Sequence, residues 1–262
     1  MLLAIDAGNT NTVFALYKGE APLSIWRIRA EAPRTSDEYA SWLSPLLQQA
    51  GYDFGDITDV IIGSVVPSAN FHLKGFCDKY LKIDPMFVGQ AGCDHGVAIT
   101  FPNAHLVGAD LIANVVAAKA KYRAPMIIID FGTATKFLVM DRNAAFTGAV
   151  IAPGINLSVE ALHNATAQLP KIDVVKPAAV IGTDTIGCMR SGIFWGYVSM
   201  VEGMCQRISL EMKEIPDLIV TGGLAPIFEG SIQGVRAIDP NLTIDGLRLY
   251  HARNHQKEKA AA

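Results

Sequence analysis

Short apolar runs separated by glycine-containing polar turns dominate the chain. Leu2–Asp6 and Val13–Tyr17 flank a polar stretch and predict a hairpin. Trp26–Arg29 predicts a third strand. Ser36–Ala50 carries a helical period, with Ser36 as the expected N-cap, Asp37 and Glu38 in the first turn, and Gly51 ending it. Val60–Ser64 predicts a buried strand, Asn70–Leu81 a helix and Met86–Val88 a short strand. Asp110–Lys121 sets Ile112, Val115 and Val116 on one side of a helix. Met126–Asp130 and Lys136–Met140 predict a second hairpin. Thr185–Lys213 holds one long helix or two. Its glycines, Gly192, Gly196 and Gly203, suggest close helix packing, including against a second subunit.

Two of these segments resemble each other. Residues 2–18 read LLAIDAGNTNTVFALYK, and residues 126–142 read MIIIDFGTATKFLVMDR. Each is an apolar strand, an Asp, one further residue, a Gly, a polar turn and a second strand. Asp6 and Asp130 lie almost half the chain apart, so a duplicated domain is the natural interpretation. The expected domains are residues 1–122 and 123–262. A further glycine turn, IVTGGL at Ile219–Leu224, follows another apolar strand.

Composition narrows the possible functions. The chain has 262 residues, of which 50% are hydrophobic and 18% charged, which excludes a disordered chain. Its 22 Lys and Arg against 25 Asp and Glu give a net charge of −3, so nothing points to a nucleic-acid partner. The mean hydropathy of +0.27 raises the question of a membrane. No apolar run approaches the roughly 18 residues of a spanning helix, and no basic stretch precedes an apolar one at the start. The four cysteines, Cys77, Cys93, Cys188 and Cys205, lack metal-ligand spacing and read as free buried thiols in a reducing cytoplasm. The polar end, HARNHQKEKAAA, reads as a frayed helical tail.

The two Asp-x-Gly turns are the candidate chemistry. Gly8 and Gly132 can adopt φ > 0 and bring backbone N–H groups close to a ligand. Thr10, Asn11, Thr12 and Thr133 add side-chain donors. Such turns can hold nucleotide phosphates with few positive charges. Asp6 and Asp130, at strand ends, can face Mg²⁺ through water or bind a monovalent cation. Taken alone, either turn is equally an ordinary hairpin; two in equivalent halves are not. No GxxxxGK[ST] or GxGxxG is present, which disfavours P-loop and Rossmann sites. Val107-Gly108-Ala109-Asp110 opens a helix. Asp110 there is either a dipole partner or a general base for an alcohol attacking a γ-phosphate.

Together, IDAGNTNTVFAL, TSDEY, VVP, VGAD, IDFGTAT, VIAPGIN, LP, IGTDT and SGIFWGY resemble the type III pantothenate kinase family, in family order from residue 2 to about residue 225. The resemblance implies two duplicated ribonuclease H-like α/β domains with an interdomain cleft, the actin-like ATPase superfold. It implies ATP-dependent phosphorylation of pantothenate with Mg²⁺, at the first step of coenzyme A synthesis. It also implies a cytoplasmic homodimer with pantothenate bound near the dimer interface, and a need for K⁺ or NH₄⁺. Residue by residue, Asp6, Ala7, Gly8, Asn9, Thr10, Asn11, Thr12 and Val13 match the first phosphate loop, with Asp6 at the metal–phosphate end. Gly108, Ala109, Asp110 and Leu111 match the substrate loop, with Asp110 as catalytic base. Asp130 matches the monovalent-cation ligand, Thr133 an ATP contact and Thr185 a pantothenate contact. Gly222 and Gly223 fall, more loosely, at the adenosine end.

The chain departs from the family pattern at several positions. Leu111 stands where the family has Arg, a charge-assisted donor worth about 1.5–3 kcal/mol to an anionic substrate. Lys136 replaces a Thr and Leu138 an Asp, while Thr183-Asp184 replaces a basic residue and Asn. These changes keep open a catalytically weak or inactive paralogue with a binding role, and a kinase for another small alcohol. Strand alternation places Lys136 with Leu138 and Met140. Its ammonium either snorkels along Leu138 or reaches Asp130 and stands in for the monovalent cation.

Overall fold

The structure is a computed structural model that describes residues 1–30 and 34–261, with the side chains of 105 and 257–261 excepted. The chain divides into two compact units. The first comprises residues 1–96, 103–120 and 242–262, the second residues 97–102 and 121–241. The division suggested by the sequence repeat is thus crossed by two segments, the short 97–102 stretch and the C-terminal helix.

The two units share one sheet topology. In the first, β1 (Leu2–Ala7), β2 (Asn11–Tyr17), β3 (Pro22–Arg29), β4 (Asp59–Ser64) and β5 (Met86–Phe87) lie in the order β3-β2-β1-β4-β5. In the second, β6 (Met126–Phe131), β7 (Ala134–Met140), β8 (Phe146–Pro153), β9 (Asp217–Thr221) and β10 (Val235–Ile238) lie in the order β10-β9-β6-β7-β8. Each is an antiparallel three-strand meander extended by two parallel strands. Each central strand, β1 or β6, pairs antiparallel on one side and parallel on the other. Being covered on both faces, these strands are nearly all apolar, as Ile127, Ile128 and Ile129 show.

The first unit packs Leu3, Ile5, Phe14, Ile62 and Val60 against Leu43 and Leu47 of α1 (Ser36–Gln49) and Leu73 and Phe76 of α2 (Pro67–Phe76). The cap of α1 is Thr35 rather than the expected Ser36. Thr35 is extended, and it closes a capping box with Glu38: Glu38 N–H donates to Thr35 Oγ1 at 3.3 Å and Thr35 N–H to Glu38 Oε2 at 2.7 Å. The Ser36 hydroxyl instead donates to the His72 carbonyl at 2.8 Å and ties α1 to α2. The helix expected over 70–81 starts earlier, with Pro67 at its first turn, and leaves the α-helical pattern after Phe76.

In the second unit, Phe131, Phe137, Phe194, Val201, Phe228 and Val220 form the core with α5 (Thr185–Met212). The segment left open as one helix or two is therefore a single helix. A Cβ added at Gly192 or Gly196 would meet nothing within 4 Å, so these glycines do not mediate packing inside the unit. The four cysteines are free, but only Cys77 and Cys205 are buried as expected; Cys93 is half-buried and Cys188, near the start of α5, is exposed. Burial pushes the Cys77 and Cys205 thiols up to about 12.

The C-terminal tail is helical, as expected, and its first residues are docked through Arg253 and Asn254. Helix α6 (Leu242–Ala261) buries Leu242, Leu247 and Tyr250. Arg253 grips Asp94 Oδ2 through Nε at 2.9 Å and Nη2 at 2.7 Å. Asn254, also buried, accepts from Asp94 N–H at 2.7 Å and donates to its carbonyl at 3.0 Å. Those anchors are hydrogen bonds, which hydrophobic periodicity does not register. The same helix crosses α3 (Ala109–Lys121) so closely that a Cβ on Gly246 would lie 1.9 Å from the Ala113 carbonyl oxygen. Gly246→Ala must therefore overpack this crossing, at about 1–3 kcal/mol. Thermal unfolding followed by circular dichroism is expected to show a lower Tm; an unchanged Tm would disprove the close approach.

Candidate active site

The turn after β1 occupies Gly8–Thr10. The Gly8 N–H donates to the Asn11 carbonyl at 3.0 Å, and a Cβ on Gly8 would sit 3.1 Å from that oxygen. Neither Gly8 nor Gly132 adopts the positive φ expected of it; Gly8 is instead in a close backbone approach, while a Cβ on Gly132 would make only ordinary contacts. Asn9, Thr10 and Asn11 are exposed at the turn, whereas Thr12 is buried and its side chain hydrogen-bonds the Tyr39 phenol. Thr12 therefore positions Tyr39 rather than offering a free donor. Burial raises the Tyr39 phenol above its ordinary pKa.

Beside this turn lies an open cavity of about 200 Å³ lined by Gly8, Asn9, Thr12, Arg29, Arg34 and Tyr39, among others. Sequence reasoning missed both arginines. Arg29 sits directly across the sheet from Asn11, so hairpin register extended to the third strand would have found it. Arg34 immediately precedes the Thr35 cap. Its Nε is buried without a hydrogen-bond partner among the described residues, an orphaned donor that suits an anion.

The Gly108–Leu111 segment reaches the same end of the first sheet. The Val65 N–H donates to the Ala7 carbonyl at 3.1 Å. A Cβ on Gly108 would lie 3.4 Å from a Val65 methyl and 2.7 Å from Asp110 Oδ1. Gly108 must therefore be glycine for the Asp110 carboxylate to fold over it. Asp110 lies in the first turn of α3, and its Oδ1 accepts the Leu111 N–H at 2.9 Å. Asp6, the phosphate turn, the arginine-lined cavity and Asp110 thus gather at the C-terminal ends of β1 and β4.

The second unit builds its own version around Asp130. Asp130 and Lys136 are direct cross-strand partners, with Lys136 Nζ 3.4 Å from Asp130 Oδ2. The two side chains are only 11% and 20% exposed, so the snorkelling alternative for Lys136 does not hold. Leu138 pairs with Ile128 and is fully buried. Gly222 has φ +96°, and a Cβ there would lie 2.5 Å from the Phe131 carbonyl oxygen and 2.7 Å from Asp130 Oδ1. Next to it, Thr221 Oγ1 is buried without a hydrogen-bond partner among the described residues. Thr133 is exposed on the turn, and its carbonyl accepts the N–H of Gly154, the N-cap of α4 (Ile155–Asn164). A Cβ on Gly154 would come within 2.2 Å of that oxygen. Among the described residues no side chain caps α4, and its N-terminus lies beside Thr133, a second anion-suited feature that sequence reasoning missed.

Thr185 stands exposed as the first residue of α5, with no side-chain hydrogen bond to the Asp130 turn among the described residues. The neighbouring Asp184 is the α5 cap, accepting the Gly187 N–H at 2.8 Å. That role accounts for its carboxylate.

A duplicated five-stranded α/β unit, with carboxylates and glycine turns at the ends of both central strands, defines a phosphotransferase-type member of the actin-like ATPase superfold. Solved structures agree on the fold. A putative Baf family transcriptional activator from Campylobacter jejuni matches with a TM-score of 0.59 at 16% identity, covering 97% of this chain and 99% of that one. The activator of 2-hydroxyisocaproyl-CoA dehydratase from Clostridium difficile, solved with bound ADPNP, matches at 0.56 and 12%, covering 99% and 96%. The chain belongs to the type III pantothenate kinase family, whose model matches residues 2–207. The type III pantothenate kinase of Rhodospirillum rubrum is 48% identical over 97% of this chain and 99% of its own. That of Acidiphilium cryptum is 49% identical over 97% and 95%.

If Arg34 serves the phosphate turn, Arg34→Ala removes a charge-assisted donor worth about 1.5–3 kcal/mol. ATP binding, read with a fluorescent analogue, is then expected to weaken about ten- to hundredfold. Unchanged affinity would move the phosphates away from this cavity.

Proposed function

We propose that this protein transfers the γ-phosphoryl group of ATP to the primary alcohol of pantothenate, giving 4'-phosphopantothenate, the first step of coenzyme A synthesis. The observation that carries the reading is the meeting of a phosphate-suited turn, an arginine-lined cavity and the Asp110 carboxylate at one sheet end. Gly8–Asn11 receive phosphate oxygens, and Arg29 and Arg34 balance their charge. Asp110 accepts the proton of the alcohol as its oxygen attacks the γ-phosphorus, while the bond to the ADP oxygen breaks. Mg²⁺ bound with ATP supplies further neutralisation of phosphate charge, and Asp6, at the strand end beside the turn, is the residue that would hold it. Within the second unit, Thr133, Gly222, Gly223 and the α4 N-terminus are the groups suited to a nucleotide, and Thr185 is the residue assigned to pantothenate.

No observation favours a non-catalytic paralogue, since Asp6, Asp110, Asp130 and Thr133 all stand at strand ends, turns or helix starts suited to their roles. Leu111, half-buried, cannot give an anionic substrate the donor that the family pattern supplies, so other groups must recognise the pantothenate carboxylate. We read the protein as a cytoplasmic homodimer. The exposed Gly192, Gly196 and Ser199 lie along one face of α5, and Val180, Ile181 and Ile186 beside its start are exposed apolar residues. Both features suit a partner subunit. No described helix is long and apolar enough to cross a membrane.

The reaction is tested by ADP release coupled to a dehydrogenase across a panel of small alcohols, pantothenate included. Asp110→Asn keeps the shape and removes the proton acceptor, so kcat is expected to fall about 10²–10⁴-fold with nucleotide binding nearly intact. Full activity in that variant would remove Asp110 from the mechanism.

The Asp130–Lys136 pair bears on the cation. An ammonium tethered 3.4 Å from the carboxylate carries the charge of K⁺ and needs no binding from solution. Activity is therefore expected to be nearly the same in K⁺, in Na⁺ and in choline buffers, and Lys136→Thr is expected to create a dependence on K⁺ or NH₄⁺. Strong K⁺ activation of the unmodified protein would contradict this role for Lys136.

A further inference from the structure

The opposite end of the first sheet holds a cluster that phosphoryl transfer does not use. His251 and His255 are one turn apart on α6, so they project from one face of the helix. Their rings stack with centroids 5.3 Å apart and planes 17° from parallel. Facing them is Asp59, the first residue of β4, whose Oδ1 lies 3.8 Å from His251 Nε2. One donor atom from each of the three residues lies within 4.8 Å of the other two.

We propose that Asp59, His251 and His255 bind a borderline transition-metal dication of the Zn²⁺ class. Two imidazoles and one carboxylate suit such an ion, whereas Ca²⁺ and Mg²⁺ favour all-oxygen sites. Tetrahedral ligands about 2.1 Å from a metal lie about 3.4 Å from one another, so these donors close by roughly an ångström of side-chain movement. The fourth position is left for water.

The supporting contacts favour a preformed site. The Thr58 hydroxyl donates to Asp59 Oδ2 at 2.7 Å and accepts from the N-terminal ammonium at 3.1 Å. That bond orients the carboxylate with Oδ1 toward the imidazoles, as outer partners do in metal sites. Helix α6 is held in register on both sides of His251: Tyr250 Oη accepts the Gly89 N–H at 3.1 Å, and Arg253 and Asn254 grip Asp94. The His251 side chain is only 12% exposed, so its nitrogen is not a loose surface group.

This site is distinct from the proposed Mg²⁺–ATP position. In the β1–β4 pair Leu2 stands beside Asp59, and Asp6 beside Gly63. Four residues of strand separate the two ends, about 13 Å. A metal here would pin the last turns of α6 to the start of β4.

The test uses full-length, untagged protein freed of metal by a chelator, without nucleotide. Zn²⁺ is titrated against a chromophoric chelator, Co²⁺ binding is followed by its visible spectrum, and thermal melts are recorded with and without Zn²⁺. We expect one equivalent per chain, a tetrahedral Co²⁺ spectrum without thiolate charge transfer, and a Tm raised by Zn²⁺. His251→Gln and His255→Gln are each expected to weaken binding at least tenfold and to abolish the Tm gain. If His251→Gln does not fold, the more peripheral His255→Gln decides alone, with circular dichroism confirming its helix content. Absence of binding would overturn the proposal, as would binding unchanged in His255→Gln, or a thiolate spectrum placing the metal on cysteine.

Discussion

Everything in this fold depends on how the central strand of each sheet ends. β1 runs antiparallel to β2 and parallel to β4, and β6 stands in the same relation to β7 and β9. At the C-terminal end of such a strand the chain turns back on one side, while the parallel neighbour departs on the other. The result is a crevice lined by backbone groups that no ladder can satisfy, which is where open α/β sheets bind ligands. Asp6 and Asp130 each stand one rung before the end of their hairpin ladder, next to these openings. In the first turn the glycine that follows leaves little room for a side chain, because the Asn11 carbonyl would lie 3.1 Å from a Cβ on Gly8.

From that common plan the two ends have diverged in how they balance charge. The first turn is one residue longer and draws its cations from outside the hairpin, with Arg29 on the third strand and Arg34 just ahead of the Thr35 cap. The second turn is shorter, and its cation sits directly across the ladder as Lys136. One end presents arginines to an open cavity. At the other, a carboxylate has already been neutralised by the chain itself. The capping box at Thr35 is thus more than a helix signal, because it fixes the residue before it at the edge of the cavity.

Much of this was legible because it depends on period and repeat. Both hairpins, the repeat and the helix beginning near Asp110 follow from local pattern, and the topological match of the two sheets bears the repeat out. The cap of α1 was misread by one residue because Thr35 and Ser36 are both good caps, and only the pairing with Glu38 separates them. The helical tail was legible, but its docking was not, because Arg253 and Asn254 bind through hydrogen bonds to Asp94, far away in sequence. Arg34 and Gly154 were missed for a related reason: each matters through what the fold places beside it, a cavity in one case and the Thr133 carbonyl in the other. The alternation of β7 did reveal that Lys136 could reach Asp130, since direct cross-strand pairing needs only the register of one hairpin.

The central claim is that Asp110 and the first glycine turn act on one phosphoryl group. A crystal structure with a non-hydrolysable ATP analogue and pantothenate tests it most directly. The account predicts the terminal phosphate against Gly8–Asn11 and an Asp110 carboxylate oxygen within about 3 Å of the pantothenate hydroxyl, directly or through one water. A terminal phosphate bound elsewhere, or an Asp110 carboxylate turned away from the hydroxyl with no bridging water, would contradict it.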